Sequence, residues 1–228
     1  MSVLRELLYG VSAQRPSHSV FMGGEQLPLE ARMGGIFLGF LCAIVLLAVL
    51  GRLKASQTPG GLLGAACWLL IALTCLDGLN AFFFDGGLPH LYAPNTAVRL
   101  FTGLGAGLGL GLLAIPVVAS VIWRTQSDEA AIEDPLELLV GIFVAALVGA
   151  IVLAGVGTLL WPIAVLMLVS VLVAFGTANV YILALLTRGT AHVRGLLLSG
   201  LGVALLELAG LSSLRIWLVS AFGFTWGV

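Results

Sequence analysis

Residues 33–51 read MGGIFLGFLCAIVLLAVLG, 19 positions without a charged side chain. At about 1.5 Å of rise per residue such a helix covers about 30 Å, the thickness of a bilayer's hydrocarbon core. Working outward, apolar runs separated by polar breaks recur along the chain and predict six membrane-crossing helices, at 33–51, 59–84, 96–123, 136–160, 162–187 and 194–220. Composition points the same way, because hydrophobic residues are 60% of the 228 and charged residues only 9%, against about 25% charged in a soluble domain. The expected fold is all-α, a polytopic integral membrane protein built as a six-transmembrane-helix bundle with both termini on one side. The chain divides into a lead-in over 1–32, a three-helix region over 33–123, an acidic loop over 124–137 and a second three-helix region over 138–228.

The break between the fourth and fifth spans is the least marked, since Leu138 to Thr187 is 50 residues without a charge. That run is too long for one crossing. Pro162 suits the first turn of a helix, where its missing N–H costs nothing, and Trp161 suits the interface, so a tight hairpin is expected there. Met1 to Arg32 lacks the apolar core of a signal peptide and reads as an irregular lead-in, retained in the mature protein, with one short interfacial helix at Val3–Tyr9. The charge run SDEAAIEDPLE at 127–137 reads as a solvated loop in which Pro135 opens the next helix, with a partner-binding acidic patch as the alternative.

Arg52, Lys54, Arg124, Arg188 and Arg194 fall on the face of the odd-to-even loops, and Arg5, Arg15, Arg32, Arg99 and Arg215 on the face of the termini. The two connecting loops on the termini face contribute only Arg99, so the positive-inside rule favours cytoplasmic odd-to-even loops and termini on the outer side. Net charge is near zero, from 10 basic and 11 acidic side chains, so no polybasic face is offered to nucleic acid or to anionic lipid headgroups. Cys42, Cys67 and Cys75 all lie in apolar segments without disulfide or metal-ligand spacing.

In the third span Gly103, Gly107 and Gly111 form one stripe at four-residue spacing, and in the fourth Gly141, Ala145, Gly149 and Gly155 form another. Small residues let helix backbones approach closely, which supplies much of the association energy in lipid. Packing within the molecule is the first expectation, a face reserved for another subunit the alternative. Because an ionised side chain at mid-bilayer costs about 2.5–3.5 kcal/mol, the charges inside spans need partners. Asp77, late in the second span, and Arg99, early in the antiparallel third, are expected to pair near the termini face. Asn80, Asp85, Asn95, Thr102, Glu30 and Arg32 belong to the same layer, with Arg15 and Gln26 from the lead-in. That layer is expected to clamp the lead-in over the mouth of the bundle. Glu207, midway along the last span, is expected to be neutral or hydrogen-bonded to Ser212, Thr177 or Asn179.

These segments carry a resemblance. QRPSHSVFMGGEQLPLEARMGGIFLGF, LDGLNAFF and PNTAVRLFTGLGAG, in that order, resemble an uncharacterised family of predicted prokaryotic membrane proteins, domain of unknown function 2085, over roughly Val11 to Ile115. The family's Asp-Gly survives as Asp77-Gly78. Its Asn-x-Leu-Arg-x-x-Thr-Gly survives as Asn95-x-x-x-Arg99-x-x-Thr102-Gly103, with one residue more between Asn and Arg. Where the family places Cys and His, this chain has Ser12, Ala13, Glu25, Glu30 and Met33. A thiolate and imidazole metal set implied by the resemblance is therefore lost. Glu25, Glu30 and His18 could hold a hard cation, but carboxylates beside Arg32 are more often paired or solvated. The resemblance implies membership and a prokaryotic cell membrane, and it implies no activity.

No metal or other cofactor is expected. His18, His90 and His192 fall in loops or at helix ends, unsuited to axial haem ligation. No Ser/His/Asp set, HExxH or phosphate loop occurs, and the glycines at 103–111 follow no strand. Phe82–Phe84, Tyr92, Trp161, Trp217, Phe222, Phe224 and Trp226 are expected near the termini face as an interfacial belt, with a sterol or quinone site as a lesser alternative. The first functional expectation is a non-catalytic accessory or scaffold subunit whose partners are the bilayer and other membrane subunits. The alternative is a small solute or ion transporter or channel with a polar path at Asp77, Arg99 and Glu207. An intramembrane enzyme acting on lipid has only the polar layer in its favour.

Overall fold

The structure, a computed structural model, describes residues 1–123, 127–187 and 192–223. Arg124, Arg188, Phe224 and Trp226 lie outside the described residues. The chain opens with a short helix α1 (Ser2–Leu7) and a hairpin of β1 (Ser19–Met22) and β2 (Glu25–Glu30). Then follow α2 (Ala31–Val49), β3 (Ala55–Gln57), α3 (Gly61–Asp85), α4 (Thr96–Ile122), β4 (Ser127–Ala130), α5 (Pro135–Leu153), α6 (Leu160–Leu186) and α7 (Val193–Phe222). Six of these helices, α2 to α7, are long and apolar enough to cross a membrane. The protein is a multi-pass integral membrane protein and an all-α bundle.

Local chemistry sets the helix ends. Asn95 caps α4 by accepting a hydrogen bond from the Val98 N–H at 2.8 Å. Asp134 and Glu137 form a capping box at the start of α5, with Pro135 in the first turn. The break before α6 is earlier than expected: α5 ends at Leu153, and the chain turns through Gly155 at φ +65° rather than at Trp161-Pro162. A left-handed residue after the last helical turn ends a helix more firmly than a proline further on. Pro162 still lies in the first turn of α6.

The centre of the bundle is α4, and its glycines face two ways. Gly103, Gly107 and Gly111 lie against α2, while Gly105 and Gly109 lie against α3. A Cβ built at Gly103 would stand 2.5 Å from the Arg32 carbonyl oxygen, and one at Gly109 2.6 Å from that of Cys67. From the α2 side, a Cβ at Gly35 would stand 2.5 Å from the Leu100 carbonyl oxygen, and one at Gly39 would overlap that of Leu104. Backbone thus meets backbone, the arrangement small residues allow in lipid. On α5, Gly141 receives Leu46 and Leu108, and Gly149 receives Phe101 and Leu104. Gly155 is outside that helix and belongs to the turn.

Two loop structures close the ends. On the side opposite the termini β3 pairs in parallel with β4, Arg52 bonds Glu137 at 2.7 Å and lies 3.6 Å from Glu133, and Ala131 and Ile132 are buried. The acidic stretch is therefore a docked strand rather than a simply solvated loop, because pairing satisfies the backbone groups of both loops. On the termini side the lead-in is more ordered than the irregular segment expected. Gly23 and Gly24, both at positive φ, turn the β1–β2 hairpin, and Leu8, Met22, Leu27 and Leu29 are fully buried in one cluster with Leu38, Leu100 and Met167.

Candidate functional site

The N-terminal arm, residues 1–30, is held to the bundle by α7. Arg215 donates to the Tyr9 and Ser12 carbonyls at 2.6 Å each and lies 4.1 Å from the centre of the Tyr9 ring. Ser212 donates to the Leu7 carbonyl at 2.7 Å and accepts from the Gly10 N–H at 3.1 Å. Within the arm, the Gln26 amide donates to the Gln14 carbonyl at 2.7 Å and to the Ser19 hydroxyl at 2.8 Å. Ser12 accepts the Glu30 N–H at 3.0 Å. The clamp exists, but Arg215 and Ser212, which make it, are outside the polar layer read from sequence.

Beneath the arm lies a cavity of about 230 Å³. Arg15, His18 and Glu30 line it from the arm, Arg32 from α2, Gly78, Ala81, Phe82 and Asp85 from α3, and Arg99 from α4. Arg15 bonds Glu30 through its side chain and its backbone N–H, both at 3.0 Å. Burial pushes the Glu30 carboxyl up, and the hydrogen bonds and charge of Arg15 more than reverse this, leaving it below the ordinary value. Partial burial lowers the His18 imidazole from its ordinary value, and the nearby Arg99 and Arg15 charges lower it further.

The expected Asp77–Arg99 pair does not form. Asp77 pairs with Arg32, Nη2 to Oδ2 at 2.5 Å, and accepts the Tyr92 hydroxyl at 2.5 Å on its other oxygen. The physical reason is azimuth. Arg32 opens α2 and passes Gly78 of α3 at ordinary contact distance to reach Asp77. Desolvation, the Asp77 hydrogen bond and its charge push the Tyr92 phenol up to about 12. Arg99 is 5% exposed, its Nε has no hydrogen-bond partner, and among the described residues it makes no ion pair.

Other members of the predicted layer serve the backbone. Asn80 accepts the Leu91 N–H at 2.7 Å and donates to the Tyr92 carbonyl at 2.9 Å, fixing the connection between α3 and α4. Asn95 is the α4 cap, and Thr102 bonds the Val98 carbonyl at 2.8 Å. Glu25 is exposed at the hairpin turn, at the far end of β2 from Glu30, so the two cannot share an ion with His18. Glu207 is remote from the mouth, and of its three expected partners it takes Asn179, whose amide donates at 2.7 Å. Sequence reasoning missed Tyr92, Ser212 and Arg215 as members of the polar framework. Only Arg215, a charge late in the last span, carried a signal.

Comparison with known families bears on this half of the molecule. Residues 12–113 match the model of the family DUF2085, described as a predicted membrane protein. The DUF2085 segment holds the arm from Ser12, the whole of α2 and α3, and most of α4, so every residue lining the cavity is inside it. Neither the curated proteins nor the solved structures gave a match. Two of the family positions named above, Ser12 and Glu30, tie the arm to itself, and among the described residues no three His, Cys, Asp or Glu side chains come together.

Proposed function

We propose that this chain is a non-catalytic subunit of a larger membrane assembly, and that the outward face of α7 receives a transmembrane helix of another protein. Glu207 carries this reading. It stands fourteen residues past Val193 at the start of α7, and its donor Asn179 stands seven residues before Leu186 at the end of α6. At 1.5 Å per residue these depths are about 21 Å and 10 Å from one face, which brackets the middle of a core about 30 Å thick. Glu207 is exposed there with one protein hydrogen bond among the described residues. A carboxylate facing acyl chains at that depth costs about 2.5–3.5 kcal/mol, which a partner with a donor would remove.

The same helix presents Gly195, Ser199, Gly202, Gly210 and Ser213 outward, and a Cβ built at Gly195, Gly202 or Gly210 meets nothing within 4 Å. Such residues gain little against lipid and permit close approach of a second helix. A second copy of α7 would set carboxyl against carboxyl. A different helix with Arg, Lys, Asn or Ser at that level fits better. Transport through Asp77, Arg99 and Glu207 has less support, since the cavity at the mouth is lined only by the arm, α2, α3 and α4. The positive-inside bias supports termini on the outer side of a prokaryotic inner membrane.

The test is purification of the full chain from native membranes in mild detergent. The expected result is a defined co-purifying membrane protein that is lost from Gly202→Leu while the variant stays folded. A monodisperse wild-type monomer with no companion would overturn the reading.

A further inference from the structure

We propose that the cavity beneath the arm is a binding site for a phosphate oxyanion, held by Arg99. The inference is independent of the subunit reading, which rests on α7. The charge inventory motivates it. Three guanidiniums line the cavity, from the arm, α2 and α4. Arg15 is engaged by Glu30 and Arg32 by Asp77. Arg99 alone of the three has no carboxylate within ion-pair distance among the described residues, and it is the most buried of them; its Nε, like that of Arg32, is buried without a hydrogen-bond partner. Asp85, the remaining carboxylate of the lining, is exposed and makes no ion pair among the described residues.

A buried charge without a partner is costly, and an anion entering the cavity would supply the missing partner. Guanidinium groups present paired N–H donors that match oxyanions. A tetrahedral phosphate can bond Arg99 through one edge and still turn further oxygens toward the N–H groups that Arg15 and Arg32 do not spend on Glu30 and Asp77, whereas a flat carboxylate offers two oxygens. The volume, about 230 Å³, lies below the ~300–1,000 Å³ of sites for drug-sized ligands, so a small headgroup or a free phosphate fits better than a large metabolite. Phe82, exposed at the rim, gives the cavity an apolar border where acyl chains would begin. His18 faces the same space among Arg15, Glu30, Asp85 and Arg99. A bound anion would favour its protonated form.

The experiment uses the full chain, delipidated in maltoside detergent, titrated with inorganic phosphate by calorimetry, with the His18 imidazole followed by NMR and assigned by its loss in His18→Gln. Wild type should bind phosphate, Arg99→Gln should bind it at least about tenfold more weakly, a loss of about 1.4 kcal/mol, and Arg99→Lys should recover part of the loss. Phosphate should also raise the His18 titration midpoint. A second arm uses nanodiscs of phosphatidylglycerol or phosphatidylcholine. Suppression of phosphate binding by phosphatidylglycerol alone identifies a lipid headgroup as occupant, and equal phosphate binding in both identifies the free anion; either supports the site. If Arg99→Gln does not fold, a raised His18 midpoint in wild type sustains the proposal and an unmoved one overturns it. Unchanged affinity in Arg99→Gln, or no response of wild type to phosphate or phosphatidylglycerol, overturns it as well.

Discussion

Replacing Gly107 with Ala tests the backbone contact on which the bundle is built. The new Cβ would overlap the Ile36 carbonyl oxygen and stand 2.7 Å from the Phe40 nitrogen and 2.8 Å from the Ile36 carbonyl carbon. Ordinary contact begins near 3.4 Å, so α2 and α4 must separate by about 0.7 Å for the nitrogen alone (3.4 − 2.7) and by more for the oxygen. A gap of that size forfeits a quarter to a half of the dispersion well for each atom pair it opens. Overpacking of this kind costs up to about 3 kcal/mol. The better helix propensity of alanine returns about 1 kcal/mol, leaving a net loss of about 2 kcal/mol. For a chain of this size that lowers the midpoint of thermal unfolding by about 4–8 °C. The control is Gly202→Ala, where nothing lies within 4 Å and the change should be neutral or mildly stabilising. Thermal unfolding of both variants in the same detergent decides the matter. If Gly107→Ala melts with Gly202→Ala, the close approach of α2 and α4 is wrong.

A double-mutant cycle in detergent should find a coupling of about 1–3 kcal/mol between Asp77 and Arg32 and less than about 0.5 kcal/mol between Asp77 and Arg99; the reverse order would restore the pairing expected from sequence. Tyr92 should ionise late in a spectrophotometric pH titration. Its folded value, about 12, lies above the ordinary 10, so its contribution to stability is complete below pH 10 and is lost as pH rises through 12. The Tyr92→Phe variant should lack that alkaline loss, and identical alkaline profiles would count against the Asp77 hydrogen bond. Arg215→Gln should release the arm, so that trypsin cleaves after Arg5 faster than in wild type by at least about tenfold, the effect of about 1.4 kcal/mol of lost restraint. Equal cleavage rates would remove Arg215 from the clamp.

How much of this was legible depends on what a linear pattern encodes. The crossings were readable because hydrocarbon demands long uncharged runs, and the four-residue spacing of Gly103, Gly107 and Gly111 shows a smooth helix face directly. Depth was readable too: Asp77, Arg32 and Arg99 do gather at one end. Azimuth was not. Three candidate charges at one level cannot be paired without knowing which sides of α2, α3 and α4 face each other, and it is Arg32, not Arg99, that meets Asp77. The hairpin at 19–30 did carry a signal, Gly23-Gly24 between β-prone residues. Pro28 in its second strand obscured it, although an edge strand tolerates a proline. At the α5–α6 turn the glycine outweighed the proline. Arg215 could be counted by sequence but not assigned, since its partners Tyr9 and Ser12 lie more than 200 residues away.

The subunit reading is tested most directly by photo-crosslinking in native membranes from a reactive residue at Gly202 on α7, with the exposed Phe143 on α5 as the comparison. One protein adduct of defined mass from position 202, absent from position 143, is the predicted result. Lipid adducts alone from both positions would contradict it.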